Sequence, residues 1–117
     1  MEFDQFTVCL LILNLDGPDF TEDELDQLQD AHMAHLADLH DQGVLLAAGP
    51  TLGPDDRKYR GFAIFGVDAE RALALHNSDP AVVAGRYVTE VIPWLVPRGA
   101  MHFTPTTLPR SMAEAMS

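Results

Sequence analysis

The chain has few basic residues and almost no cysteine. Seven Lys and Arg stand against eighteen Asp and Glu, a formal charge of -11, so a broad phosphate-binding surface would have to be built against the molecule's own field. Nucleic acid is therefore not expected as a partner. The single cysteine, Cys9, excludes an intrachain disulfide; within the apolar run Val8 to Leu13 it reads as a small buried hydrophobe, not a nucleophile. No stretch approaches the ~18 consecutive apolar residues of a membrane span. The first residues, Met1-Glu2-Phe3-Asp4-Gln5, carry acids where a signal peptide would carry positive charge. No membrane association is expected, and the chain reads as cytoplasmic. A Gly-rich phosphate loop, a Gly-x-Ser-x-Gly elbow and a Cys-x-x-Cys pair are all missing, so nucleotide cofactors, serine hydrolysis and thiol redox chemistry lack support. No cofactor is expected.

What is present suits one domain with one small core: 117 residues, 47% of them hydrophobic. No repeat or low-complexity segment points to a second domain. Phe6 to Asn14 is a nearly continuous apolar run, the pattern of a strand buried on both faces, and Asp16-Gly17-Pro18-Asp19 ends it. A helix is then predicted from Glu22 to Gln42. Thr21 caps it, Glu24 reaches back three residues to close a capping box, Phe20 and Leu25 are spaced as a hydrophobic staple, and Gly43 suits the left-handed turn that stops it. Val44 to Gly49 and Gly61 to Val67 read as an antiparallel pair joined by the turn-rich Thr51–Lys58 connection. Asp68 caps a second helix that ends near Asn77-Ser78-Asp79-Pro80, because proline disfavours helical geometry in the residue before it. Ala81 to Gly85 forms one further helical turn, and Tyr87 to Val96 is the last strand, with Pro93 hinting at a sheet edge.

The order is βαββαβ. Two βαβ halves around an antiparallel hairpin give an α+β, ferredoxin-like fold: a four-stranded antiparallel sheet with both helices on one face. Strands apolar on both sides leave a second face to cover, most simply with a second copy, so a homodimer is expected. Residues 1–97 form this domain and residues 98–117 a C-terminal extension, which Pro97, Pro105 and Pro109 keep mostly extended, either reaching across to the partner or remaining flexible.

Chemistry is concentrated on the long helix. Leu25, Leu28, His32, Leu36 and Leu39 follow at spacings of three and four and share one face, so His32 points where the leucines point. Imidazole titrates near neutrality, and an inward-facing one needs a partner. His35 lies at the edge of the stripe, and His40 falls off it toward solvent. His32 and His35 are spaced to share a metal, but no third ligand accompanies them and no metal is expected. Ser78 and Tyr87 offer hydrogen bonds to a substrate oxygen, against a packing role for a tyrosine opening a strand. His76 and His102 have no motif around them.

The segment from His32 to Gly49-Pro50, the Gly61-Phe62-Ala63-Ile64-Phe65 strand, and Asn77-Ser78-Asp79-Pro80 followed by Ala84-Gly85-Arg86-Tyr87 together resemble the YCII (YciI-like) family over about Phe6 to Trp94. The resemblance implies a dimeric α+β barrel of ferredoxin-like subunits, in a group that holds small cytoplasmic proteins of unknown role and a dehydrochlorinase of an aromatic degradation intermediate. It also implies a site built on a His–Asp pair. Eleven residues before the helix-ending Gly43 the family histidine falls on His32, and the aspartate of the Asp-Pro element falls on Asp79. A carboxylate on one ring nitrogen fixes the tautomer and stabilises the imidazolium; alternatively, Asp79 merely caps a turn before Pro80 and His32 is a satisfied core residue. Many relatives carry an arginine three residues before the histidine, where this chain has Gln29; if that arginine holds an anionic ligand, the substrate here is expected to be either uncharged or held by Arg86 or Arg60, although such arginines are more often plain surface residues. The expected function is a small cofactor-free enzyme in which His32 and Asp79 carry out acid/base chemistry (elimination, dehydration or isomerisation) on a small, cyclic or aromatic-derived metabolite, with His35, Ser78, Arg86 and Tyr87 around the substrate. The alternative is a non-catalytic dimeric ligand-binding or accessory module of the same fold.

Overall fold

In the computed structural model, which describes residues 1–117, β1 (Phe3–Leu13), α1 (Glu22–Asp41), β2 (Leu45–Pro50), β3 (Tyr59–Phe65), α2 (Ala69–Asn77), α3 (Pro80–Val83), β4 (Tyr87–Pro97) and α4 (Met112–Met116) follow in order. The four strands form one sheet in the order β2-β3-β1-β4, and every neighbouring pair is antiparallel. This is the ferredoxin-like α+β arrangement. No helix is long and apolar enough to cross a membrane.

Local chemistry sets the boundaries. At the start of α1 the Thr21 side chain accepts from the Glu24 N–H at 3.1 Å, and the Glu24 carboxylate accepts from the Thr21 N–H at 3.0 Å, which satisfies two amides that have no partner inside the helix. Gly43, at φ 80°, turns the chain into β2. β1 begins three residues earlier than the apolar run suggests, because Phe3, Asp4 and Gln5 pair with Pro97, Val96 and Leu95; backbone pairing carries the strand past its hydrophobic stretch. Pro93 sits on β4, an edge strand bonded only to β1, where a missing N–H costs no ladder bond.

The core gathers Cys9, Leu39, Leu45, Ala63, Phe65 and Ala72 between sheet and helices. Cys9 is fully buried, and burial pushes its thiol up to about 12, so it is an inert core residue.

Two expectations are corrected. The C-terminal segment carries no helix before α4, in keeping with its prolines, but it is not free. It ends in α4 and lies against its own α1: Leu108 packs on the core, the Met112 N–H donates to Asp30 at 2.8 Å, and Arg110 bridges Asp38 and Asp41 at 2.7 and 2.8 Å. Those hydrogen bonds hold the Arg110 guanidinium above its ordinary pKa. His40 is likewise not solvated but buried. Its Nδ1–H donates to the Leu45 carbonyl at 2.7 Å, and its Nε2 accepts the Thr106 N–H at 3.0 Å, so the tail covers the ring that the leucine periodicity sends toward water.

Candidate functional site

Asp79 follows α2 and is the N-cap of α3, with Pro80 at the first helical position. Its Oδ1 accepts the Ala81 N–H at 2.9 Å, and its Oδ2 meets His32 Nδ1. The capping reading and the pairing reading therefore both hold, one oxygen each. The carboxylate has no exposed surface, and α3 lies against α1, which brings residues 47 apart in sequence into contact. Since Asp79 accepts at both oxygens, His32 Nδ1 carries the proton of this bond, and Nε2 is the ring nitrogen with no protein partner.

His32 opens onto a cavity of about 480 Å³. α1 contributes Gln29, His32, Met33 and Leu36; β2 and β3 contribute Ala48, Gly49, Pro50, Gly61, Phe62 and Ala63. Tyr87 adds an aromatic wall, its ring centroid 6.5 Å from that of His32. Leu108, Pro109, Met112 and Ala115 of the tail add a further wall, so the same chain's C-terminal segment helps to line its own, partly open cavity.

Three expected substrate contacts lie elsewhere. His35 donates through Nε2 to the Leu75 carbonyl at 3.0 Å and ties α1 to α2; one turn of helix sends it and His32 to different neighbours. The exposed Ser78 donates to the same carbonyl at 2.7 Å as a helix-end contact. Arg86 lies over the Tyr87 ring, Cζ 5.5 Å from its centroid, and supports that wall from outside the lining.

Two residues of the cavity were given no role by the sequence. His76, 2% exposed, lines the cavity and hydrogen-bonds Thr89 at 2.8 Å. Burial lowers its pKa to about 4; Asp79 opposes this, and His32 and His35 add to it, so the ring is neutral at pH 7. The i+4 relation of Ala72 and His76 places both on the buried face of α2, a signal that was available. Arg57, from the β2–β3 connection, enters the lining beside Arg60, and no periodicity marks it.

A YCII-related domain model matches residues 8–95. The chain belongs to the YCII-related family. Among solved structures, the chain is similar to 5-chloro-2-hydroxyhydroquinone dehydrochlorinase from Burkholderia phenoliruptrix AC1100 in complex with 2,5-dihydroxybenzoquinone, with a TM-score of 0.51, 23% sequence identity, and coverage of 76% of this chain and 92% of that one. At that identity the likeness establishes the shared fold. Among curated proteins none matches. The YCII-related match spans both His32 and Asp79 and ends at β4, before the tail that helps to line the cavity.

Proposed function

We propose that this YCII-related protein is a small-molecule acid/base enzyme in which His32 Nε2 moves a proton on a cyclic or aromatic-derived substrate. The observation that carries the reading is the placement of His32, facing a partly open cavity with its other nitrogen held by a fully buried carboxylate. Nε2 takes a proton from a carbon acidified by an adjacent carbonyl, and the C–H electron pair passes into the enolate. Return of that pair then either expels a leaving group from the neighbouring carbon as a double bond forms, or recaptures the proton at a new position. Asp79 stabilises the imidazolium in between. The similar dehydrochlorinase supports an elimination of this kind.

The test uses 5-chloro-2-hydroxyhydroquinone with chloride release as readout, and 2,5-dihydroxybenzoquinone in D2O with ring C–H exchange as readout. The full chain is expected to accelerate at least one, and His32→Asn to lower that rate by about 10²–10⁴-fold. An undiminished rate in His32→Asn, or no acceleration of either by the unaltered chain, would count against the reading.

The reading includes a homodimer. Phe62, Val88 and Ile92, between 43% and 44% exposed, accompany Val8 and Trp94 along strands whose other side meets the helices. Val8, Phe62, Ile92 and Trp94 also line a shallow second hollow, and a second copy would cover this surface. Sedimentation velocity should give a dimer and Ile92→Asp a monomer; a monomeric unaltered chain would remove this part of the proposal.

A further inference from the structure

The cavity is electrostatically unlike the rest of the molecule. The chain has eighteen Asp and Glu, yet none of the 19 residues lining the cavity is acidic. Two of them are arginines. Arg57 enters from the β2–β3 connection and Arg60 from the start of β3, while His32 enters from α1. Neither makes an ion pair: Arg98 and Arg110 take the carboxylates of Glu2, Asp4, Asp38 and Asp41, while Arg57 and Arg60 stay unpaired even with Asp55 and Asp56 close by in sequence.

Backbone carbonyls hold both guanidiniums. Arg57 donates from Nε to Thr51 and from Nη1 to Pro54, each at 3.0 Å. Arg60 donates from Nε to the Arg57 carbonyl at 2.8 Å and from Nη2 to that of Asp55. These neutral acceptors fix the heads without cancelling their charge, and leave Nη2 of Arg57 and Nη1 of Arg60 free of protein partners. Gly53 helps to set the position: at φ 152° it lies under the Arg57 side chain, and an added Cβ would stand 2.8 Å from Arg57 Cδ. Two half-buried, immobilised cations in an acid-free apolar cavity favour an anionic oxygen group, because a charge-assisted hydrogen bond there is screened less than at the surface.

We infer that Arg57 and Arg60 form an anion-recognition subsite that selects a small organic anion, with a carboxylate or enolate oxygen held on the arginine side and the reacting carbon toward His32. The inference rests on the cavity being the substrate pocket of the proposed function. It also fits Gln29, which lines the same cavity without charge: the positive charge comes from the β2–β3 side, so α1 need not supply it.

Binding, read without turnover, tests it. Benzoate and its neutral isostere benzamide are titrated into the full chain and followed by amide chemical shifts. Benzoate should bind about ten- to hundredfold more tightly than benzamide, shift the amides of Phe62 and Ala63, and weaken as salt is raised. The preference should vanish in the Arg57→Gln/Arg60→Gln double variant and survive in part in Arg60→Lys, which keeps the charge; benzamide binding in each variant reports whether the cavity is intact. No benzoate binding, equal binding of the two probes, shifts confined to other surfaces, or a preference undiminished in the double variant would each overturn the inference. His32→Asn should keep the preference, so a failed catalytic reading and a failed anion subsite give different results.

Discussion

Asp79→Asn is expected to cut turnover by about 10²–10⁴-fold while leaving the fold in place. The expectation follows from what each oxygen of Asp79 does. Oδ1 accepts the Ala81 N–H at 2.9 Å, so in the variant the amide oxygen stays at that cap and the amide NH2 turns to His32. A donor facing Nδ1 requires Nδ1 to accept, which moves the ring proton to Nε2. The nitrogen toward the cavity is then already protonated and cannot act as a base. Ring 15N shifts of His32 should report the exchanged tautomer, and thermal unfolding should show the variant folded. Unchanged turnover, with the ring proton still on Nδ1, would sink the role given to Asp79.

A second large effect is expected in acid. Burial lowers the folded-state pKa of His76 to about 4 from an ordinary 6.5. Between those values the unfolded chain binds a proton that the folded chain refuses, so stability rises with pH across this window. His76's contribution is fully present above pH 6.5 and is lost as pH falls toward 4, a change of about 3 kcal/mol. Urea midpoints of the unaltered chain should fall over this range. His76→Gln, which removes the titration and can still hydrogen-bond Thr89, should fall less steeply by that amount; equal pH slopes for the two proteins would refute the assignment. The same burial keeps His76 neutral in the cavity, so at pH 7 the fixed positive charge there comes from Arg57 and Arg60.

Local signals made most of the fold legible. The capping box at Thr21 and Glu24, the stop at Gly43 and the cap at Asp68 act within a few residues, and each element formed where its signal stands. The His32–Asp79 contact was anticipated through the family resemblance; spacing alone left it open beside the capping role, and the structure shows one oxygen serving each. His40 was misread because its helical azimuth faces outward until the C-terminal tail, 66 residues later, supplies Thr106 to cover it. Ser78, His35 and Arg86 were expected around the substrate for their hydrogen-bonding or charged groups, but His35 and Ser78 spend theirs on the Leu75 carbonyl and Arg86 lies over the Tyr87 ring, contacts that periodicity does not reveal.

The sequence by itself determined the order of strands and helices, the inert cysteine, the inward face of His32 and the acidic character of the molecule, because periodicity, caps and composition are local or additive properties. Only the tertiary structure decided which groups share the cavity. His76 on α2, Arg57 and Arg60 from the β2–β3 side, and the tail's Leu108 and Met112 come from three separate parts of the chain. Their meeting depends on strand register and on how the helices and tail settle against the sheet. The exclusion of acids from that cavity is a property of the packed surface, which the order of carboxylates along the chain does not show.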